Sequence, residues 1–196
     1  AAHAADVMHA WREWSADAPD SVTTSFRLMQ VPPLPEVPEF IRGRSLVIID
    51  GAVLGDPAEA AEVIAPLRAM EPEADMFGTM PAPGLSYIHM DPPEPMPGLS
   101  DAVMLGGLSP QTVDSLVEAT GPGSGSPLMM VELRQLGGAL SEAPDHAGAV
   151  GHFPGAYLGF AGGLAAAPEM AAAIEGALPA WREAQAADVI ERQYLN

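Results

Sequence analysis

The sequence contains no cysteine. Disulfides, thiolate nucleophiles, iron–sulfur clusters and Cys-ligated zinc are thereby excluded, and any metal centre must use histidines and carboxylates. It contains no lysine either: its eight basic residues, from Arg12 to Arg192, are all arginines. Schiff-base chemistry and a P-loop lysine on a nucleotide phosphate drop out with it. Positive charge is scarce against 26 acids, and a net charge of −18 opposes phosphate backbones and anionic lipid. Nucleic acid and membrane surfaces are not expected partners. No apolar run reaches the roughly 18 residues of a membrane helix, and the opening AAHAADVMHAWREW lacks the basic and apolar regions of a signal peptide. The expectation is a cytoplasmic protein. A length of 196 residues supports one domain with a real core. The chain starts at Ala1 without an initiator methionine and stops at RQYLN, which reads as the borders of a fragment.

What is present alternates between strand and helix patterns. Val7, Met8, Trp11 and Trp14 share a helix face within Ala4 to Trp14, and Asp17, Pro19 and Asp20 close it. Ser21 to Val31 is rich in β-branched residues, and the Pro-rich PPLPEVPEF after it is an extended loop. The continuous apolar run Ser45 to Gly55 suits a strand buried on both faces or most of one. Asp56 and Pro57 then open a helix with Val63, Ile64 and Leu67 toward the core. Further strands are expected at Asp75 to Met80, Ala102 to Leu108, Leu128 to Gln135 and Gly155 to Leu164. Ser109-Pro110 starts a helix carrying Val113, Leu116 and Val117, and two closing helices, Pro168 to Leu178 and Ala180 to Tyr194, are divided at Pro179. This order predicts an α+β fold, helices on one face of a largely antiparallel sheet, of doubled ferredoxin-like type.

Gly121, Gly123 and Gly125 invite a phosphate-loop reading, but they follow a helix and precede a strand. A dinucleotide loop needs the opposite order, because free N–H groups at a helix start hold the pyrophosphate. They read as a helix stop and a connector. In the strand after them, alternation puts Met129, Val131, Leu133 and Gln135 on a helix-packing face. Leu128, Met130, Glu132 and Arg134 fall on the other. That second face is either solvated, with Glu132 and Arg134 as ordinary surface charges, or it covers a ligand or another domain. Tyr87, His89 and Asp91 lie in the Met- and Pro-rich loop Pro81 to Gly98, but two candidate ligands without a third are a poor metal site, and none is expected.

SPLMMVELRQLGGAL, HAWREWSADAPDSVTTSFRLMQVPPLPEVPEFIRGRSLVIIDGAVLGD, LSYIHMDPP and the terminal YLN together resemble the substrate-binding domain of bacterial berberine-bridge-enzyme-like FAD-linked oxidases. These belong to the vanillyl-alcohol-oxidase and p-cresol-methylhydroxylase flavoprotein superfamily. The resemblance runs over nearly the whole chain. It implies that a separate N-terminal domain binds FAD and that this chain, residues 1–196, lays its sheet over the flavin to form the substrate pocket. Residues 187–196 would begin the segment that returns to the flavin domain, and no cofactor is expected on this chain alone. Tyr194 and Asn196 match the Tyr-x-Asn motif, which implies a catalytic base at Tyr194 and a cofactor contact at Asn196. Met130, Glu132 and Arg134 fall where pocket-facing residues lie in the family, before Gly137-Gly138. The implied activity is hydride removal from a carbinol or amine carbon of a small molecule, with the fragment itself inactive. The rival expectation is a stand-alone module that binds a small molecule, or a second copy as a homodimer, through its exposed sheet face.

Overall fold

A computed structural model describes residues 3–35, 37–90 and 94–192. Among them four α-helices and five strands follow one another as α1 (Ala4–Ala16), β1 (Val22–Gln30), β2 (Ser45–Val53), α2 (Pro57–Arg68), β3 (Gly98–Leu105), α3 (Pro110–Thr120), β4 (Met130–Gln135), β5 (Tyr157–Leu164) and α4 (Pro168–Glu183). The sheet order is β2-β1-β4-β5-β3, every neighbouring pair antiparallel. β2, β3 and β4 therefore run in one direction without touching one another, joined through α2 and α3. This is the split β-α-β arrangement of ferredoxin-like folds, and the expected α+β class with helices over an antiparallel sheet holds.

Local chemistry explains most element ends. The Asp56 carboxylate accepts from the Ala58 N–H at 2.8 Å, and the Ser109 hydroxyl accepts from Thr112 N–H at 3.2 Å, each just before a proline that has no amide to satisfy. All four helices cover the same sheet face. Their Met8, Trp11, Leu67, Val113, Leu116, Ile174 and Trp181 join Phe26, Leu28, Val103, Leu105, Val131, Leu133 and Ala161 in one core. The register confirms one face, since Phe26 lies opposite Leu133, and Leu28 opposite Val131, which lies opposite Ala161. Trp11 is fully buried; it donates to Thr24 Oγ1 at 3.0 Å and packs tilted against Phe26 and edge-on against Tyr157 at centroid distances of 5.7 and 5.6 Å.

Several expectations need correction. Asp75 to Met80 forms no strand, so the sheet has five strands and not six; the segment is held instead by Arg68, which donates to Asp75 at 2.7 Å and to the Phe77 carbonyl at 3.2 Å. β2 is an edge strand, half-buried along its whole length, rather than a strand buried on both faces or most of one. Pro179 does not divide the last helix: α4 continues through it to Glu183. Beyond it the chain turns and pairs with the β3 edge, Gly106 N–H donating to Asp188 O at 2.8 Å and Ile190 N–H to Met104 O at 2.9 Å. The helix expected to Tyr194 is thus replaced by a bridge between Leu105 and Val189. Leu128, placed by alternation on the open face, precedes the strand and joins the core.

Candidate functional site

The sheet face opposite the helices is not a solvated surface. Strand pairing lines up Ile48, Arg27, Glu132, Phe160 and Ala102 in one row across it, and Asp50, Ser25, Arg134, Leu158 and Met104 in the next. A third row runs Leu46, Met29, Met130, Gly162 and Ser100. Arg27 and Glu132, directly opposite each other on central strands, are each 3% exposed. Charges this deep require partners, because desolvation costs several kcal/mol per ion, on the order of the attraction itself.

Arg27 Nη2 bonds the Asp50 carboxylate, whose other oxygen accepts from the Ser25 hydroxyl at 2.6 Å. Nη1 donates to the His89 carbonyl at 3.4 Å, and Nε has no acceptor among the described residues. Glu132 turns along its own strand to Arg134, taking Nε at 2.9 Å and Nη2 at 2.8 Å on the same carboxylate oxygen. Arg134 stays half-exposed, so this second pair reaches solvent while the first does not. Half-buried Leu46, Ile48, Met29, Met130 and Phe160 surround the charges. Balanced charge at the centre with an apolar surround can grip a polar small molecule and exclude water around it.

Met130, Glu132 and Arg134 all lie on this face, Glu132 sequestered rather than solvated. Tyr194, Asn196 and Asp91 lie outside the described residues. Arg27, Asp50, Ser25 and His89 were not singled out from sequence for this site, although an acid followed by glycine inside the apolar run SLVIIDGAV was a usable signal. Gly51 is required there: a Cβ would lie 2.3 Å from the Thr23 carbonyl oxygen, so only glycine lets β2 approach β1 closely enough for Asp50 to reach Ser25 and Arg27. Among the described residues, no group of three or more histidines and carboxylates is placed to hold a metal ion, and no helix is long and apolar enough to cross a membrane.

For a dinucleotide the described residues offer a face and no phosphate cradle. Gly121 ends α3, its N–H bonded to Val117 O at 2.8 Å, and Gly123 and Gly125 take positive φ in an open turn, as a helix stop and connector should. The open face does suit one side of a planar heteroaromatic ring: apolar Met130 and Phe160 flank the charges, and the buried Arg27 Nε lacks an acceptor among the described residues. A separate cleft of about 140 Å³, lined by Ser15, Gln135, Gly137 and Tyr157, lies at the C-terminal end of β4. It touches none of Arg27, Asp50, Glu132 or His89, and the chemistry is denser on the open face.

No family model matches the sequence, and no curated protein matches it. Solved structures match its fold. The chain has the fold of about two-fifths of a BBE-like oxidase. Wild-type BBE-like 1 from Physcomitrella patens superposes with a TM-score of 0.65 at 11% identity, over 96% of this chain and 42% of that one. A berberine bridge enzyme variant gives 0.66 at 12% identity, over 98% and 40%. The xylooligosaccharide oxidase of Myceliophthora thermophila C1, solved with xylobiose, gives 0.66 at 13%, over 96% and 41%. The similarity that the sequence suggested thus extends over nearly the whole fold, while the chain spans only about two-fifths of each of these structures.

Proposed function

We propose that this chain is the substrate-binding domain of a BBE-like, FAD-linked oxidoreductase that oxidises a carbinol or amine carbon of a small molecule. The observation that carries the reading is the charge cluster on the sheet face away from the four α-helices, where Arg27, Asp50 and Glu132 are sequestered and Arg134 reaches solvent. A fold stabilised only by its helix-side core has no need of it, since buried ion pairs add little net stability. The similar solved structures, oxidases of chitooligosaccharide and xylooligosaccharide among them, support the same reading.

FAD, bound mainly by a separate domain, would supply the hydride acceptor. The chain's own share is to bind and orient. Arg134, the accessible member of the cluster, contacts substrate with Met130, while Glu132 fixes the guanidinium. Tyr194 takes the substrate proton and Asn196 contacts the cofactor, as the Tyr-x-Asn match implies. A phenol with a pKa of about 10 needs neighbouring donors to act as a base, so the isolated chain is inactive.

The test compares the isolated 196-residue chain with the product of the complete reading frame that encodes it. Flavin absorption and flavin reduction are read against a panel of primary alcohols, secondary alcohols and amines. Flavin in the complete product, reduced by a panel member and absent from the chain alone, is the expected result. A complete product without flavin, dimeric through the open face, would favour the binding or dimerisation module and end the oxidase reading.

A further inference from the structure

The segment between α2 and β3 is mostly irregular and exposes Met76, Tyr87, Met90 and Met96. At His89 it is fastened to the sheet twice by one ion pair. The His89 carbonyl accepts from Arg27 Nη1 at 3.4 Å, and the ring Nδ1 lies 3.6 Å from Asp50 Oδ2, an electrostatic contact just longer than a hydrogen bond. The next residue, Met90, has φ of +52°, a conformation that L-residues with side chains rarely adopt, and its N–H closes a turn on Tyr87 O at 3.1 Å. Strain of that kind persists where surrounding structure fixes it, often beside functional groups. The ring is 28% exposed, against 13% for the Asp50 side chain and 3% for Arg27. It is the accessible end of an otherwise buried chain of contacts.

We propose that His89 is a ligand-binding residue of the open face, with Asp50 holding the proton on Nδ1 so that Nε2 accepts a hydrogen bond from a ligand hydroxyl. A carboxylate facing one ring nitrogen keeps the proton there and leaves the other as an acceptor. Fixing the tautomer gives the ring a defined polarity above a face whose other charged groups, Glu132 and Arg134, satisfy each other. The hydroxyl-bearing molecule is the substrate of the oxidase reading, on which this inference rests for its ligand class, and the hydroxyl is one other than the carbinol whose proton Tyr194 takes. A latch through Asp50 would hold the same tautomer, so the KM of His89→Ala is what separates ligand binding from latching.

Two measurements test it separately from that reading. Nitrogen-15 NMR of the imidazoles in the 196-residue chain, recorded in alkaline buffer, should show the His89 proton on Nδ1, and Asp50→Asn should abolish that bias. The proton on Nε2 in the wild-type chain overturns the proposal, whatever the variant does. In the complete flavoprotein, His89→Ala should raise KM for alcohols about tenfold, the loss of one hydrogen bond of roughly 1.4 kcal/mol, with His89→Gln closer to wild type. An unchanged KM also overturns it. If the wild-type flavoprotein oxidises no member of the panel, the oxidase reading fails, while a proton on Nε2 in the NMR spectrum overturns the His89 proposal on its own.

Discussion

The two faces of this sheet solve the burial problem in opposite ways. The helix-covered face buries Phe26, Leu28, Val131 and Leu133 under Trp11, Val113, Leu116 and Trp181, and its buried polar groups are uncharged: Gln185, Thr112, Thr120 and a short network. In that network Trp11 donates to Thr24, Thr24 to Gln135 at 3.0 Å, and Gln135 to Ser15 O at 3.2 Å. The opposite face places charged residues at the same depth on the same strands: Arg27 sits between Phe26 and Leu28, and Glu132 between Val131 and Leu133. Apolar burial gives roughly 25 cal/mol per Å², whereas an ion pair recovers little beyond its own desolvation. The difference separates the two tasks: one face holds the fold, and the other spends stability on placing charge.

Substitutions on each face sharpen that separation. On the helix side, Trp11→Ala removes a fully buried ring, its hydrogen bond to Thr24 and two aromatic contacts. It should cost about 3–5 kcal/mol in urea denaturation, the range for large-to-small changes in a core. On the open side, Asp50→Ala leaves buried Arg27 without its counter-charge and should cost about 3 kcal/mol. The pair replaced together, Arg27→Met with Asp50→Leu, should return stability to within about 1 kcal/mol of wild type, because apolar residues of similar volume often match a buried ion pair. The double variant should nevertheless lose ligand-dependent activity in the complete flavoprotein. A double variant as unstable as Asp50→Ala would show that the open face carries the fold as well, and the contrast between faces would be lost.

Next in size is Gly51→Ala, which drives a Cβ toward the Thr23 carbonyl and the Thr24 Cα and so forces β2 away from β1. A cost of about 1–3 kcal/mol is expected, as for other overpacked sites. Because the displacement falls beside Asp50, it should also weaken the Asp50 contacts to Ser25 and Arg27, visible as changed NMR shifts at those residues. Amide shifts that move only near Thr23 would place the strain away from the site.

How much of this was legible beforehand differs between the faces too. The helix-side core follows from periodicity: Met8 and Trp11, Val113 and Leu116, Val131 and Leu133 all stand at spacings that name one face. Strand alternation also put Met130, Glu132 and Arg134 together correctly. It could not show that Glu132 is buried, because burial on that face comes from cross-strand neighbours, and register between β1 and β4 joins residues more than a hundred positions apart. Arg27 and Asp50 were unreadable for the same reason. Neither position stands out until the β1–β2 register places Asp50 across from Ser25 and beside Arg27. The run Ser45 to Gly55 misled by composition: apolar residues suggested a strand buried on both faces or most of one, whereas β2 is a half-buried edge whose Val47 and Ile49 pack on the core from one side. Pro179 misled by propensity, the helix continuing where Trp181 must reach the core, so that packing outweighed a local breaker.

The smallest expected effect concerns the polar network on the helix side. Tyr157 donates to or accepts from Ser15 Oγ at 2.9 Å, and burial raises its phenol pKa above the ordinary value, while the Ser15 contact and the nearby Arg12 charge pull it partly back. A phenol that ionises less readily folded than unfolded favours the native state only as the neutral acid. Its contribution is therefore full below the unfolded pKa of about 10 and is lost as pH rises through the higher folded value. Denaturation of wild type between neutral pH and pH values above that range should show stability falling at the alkaline end. Tyr157→Phe should start less stable, having lost the Ser15 bond, and should fall less steeply. Parallel curves for the two proteins would mean that the alkaline loss arises elsewhere, and that the network joining α1 to β5 tolerates a charged phenolate. The helix-covered face would then be less strict about charge than its apolar packing implies.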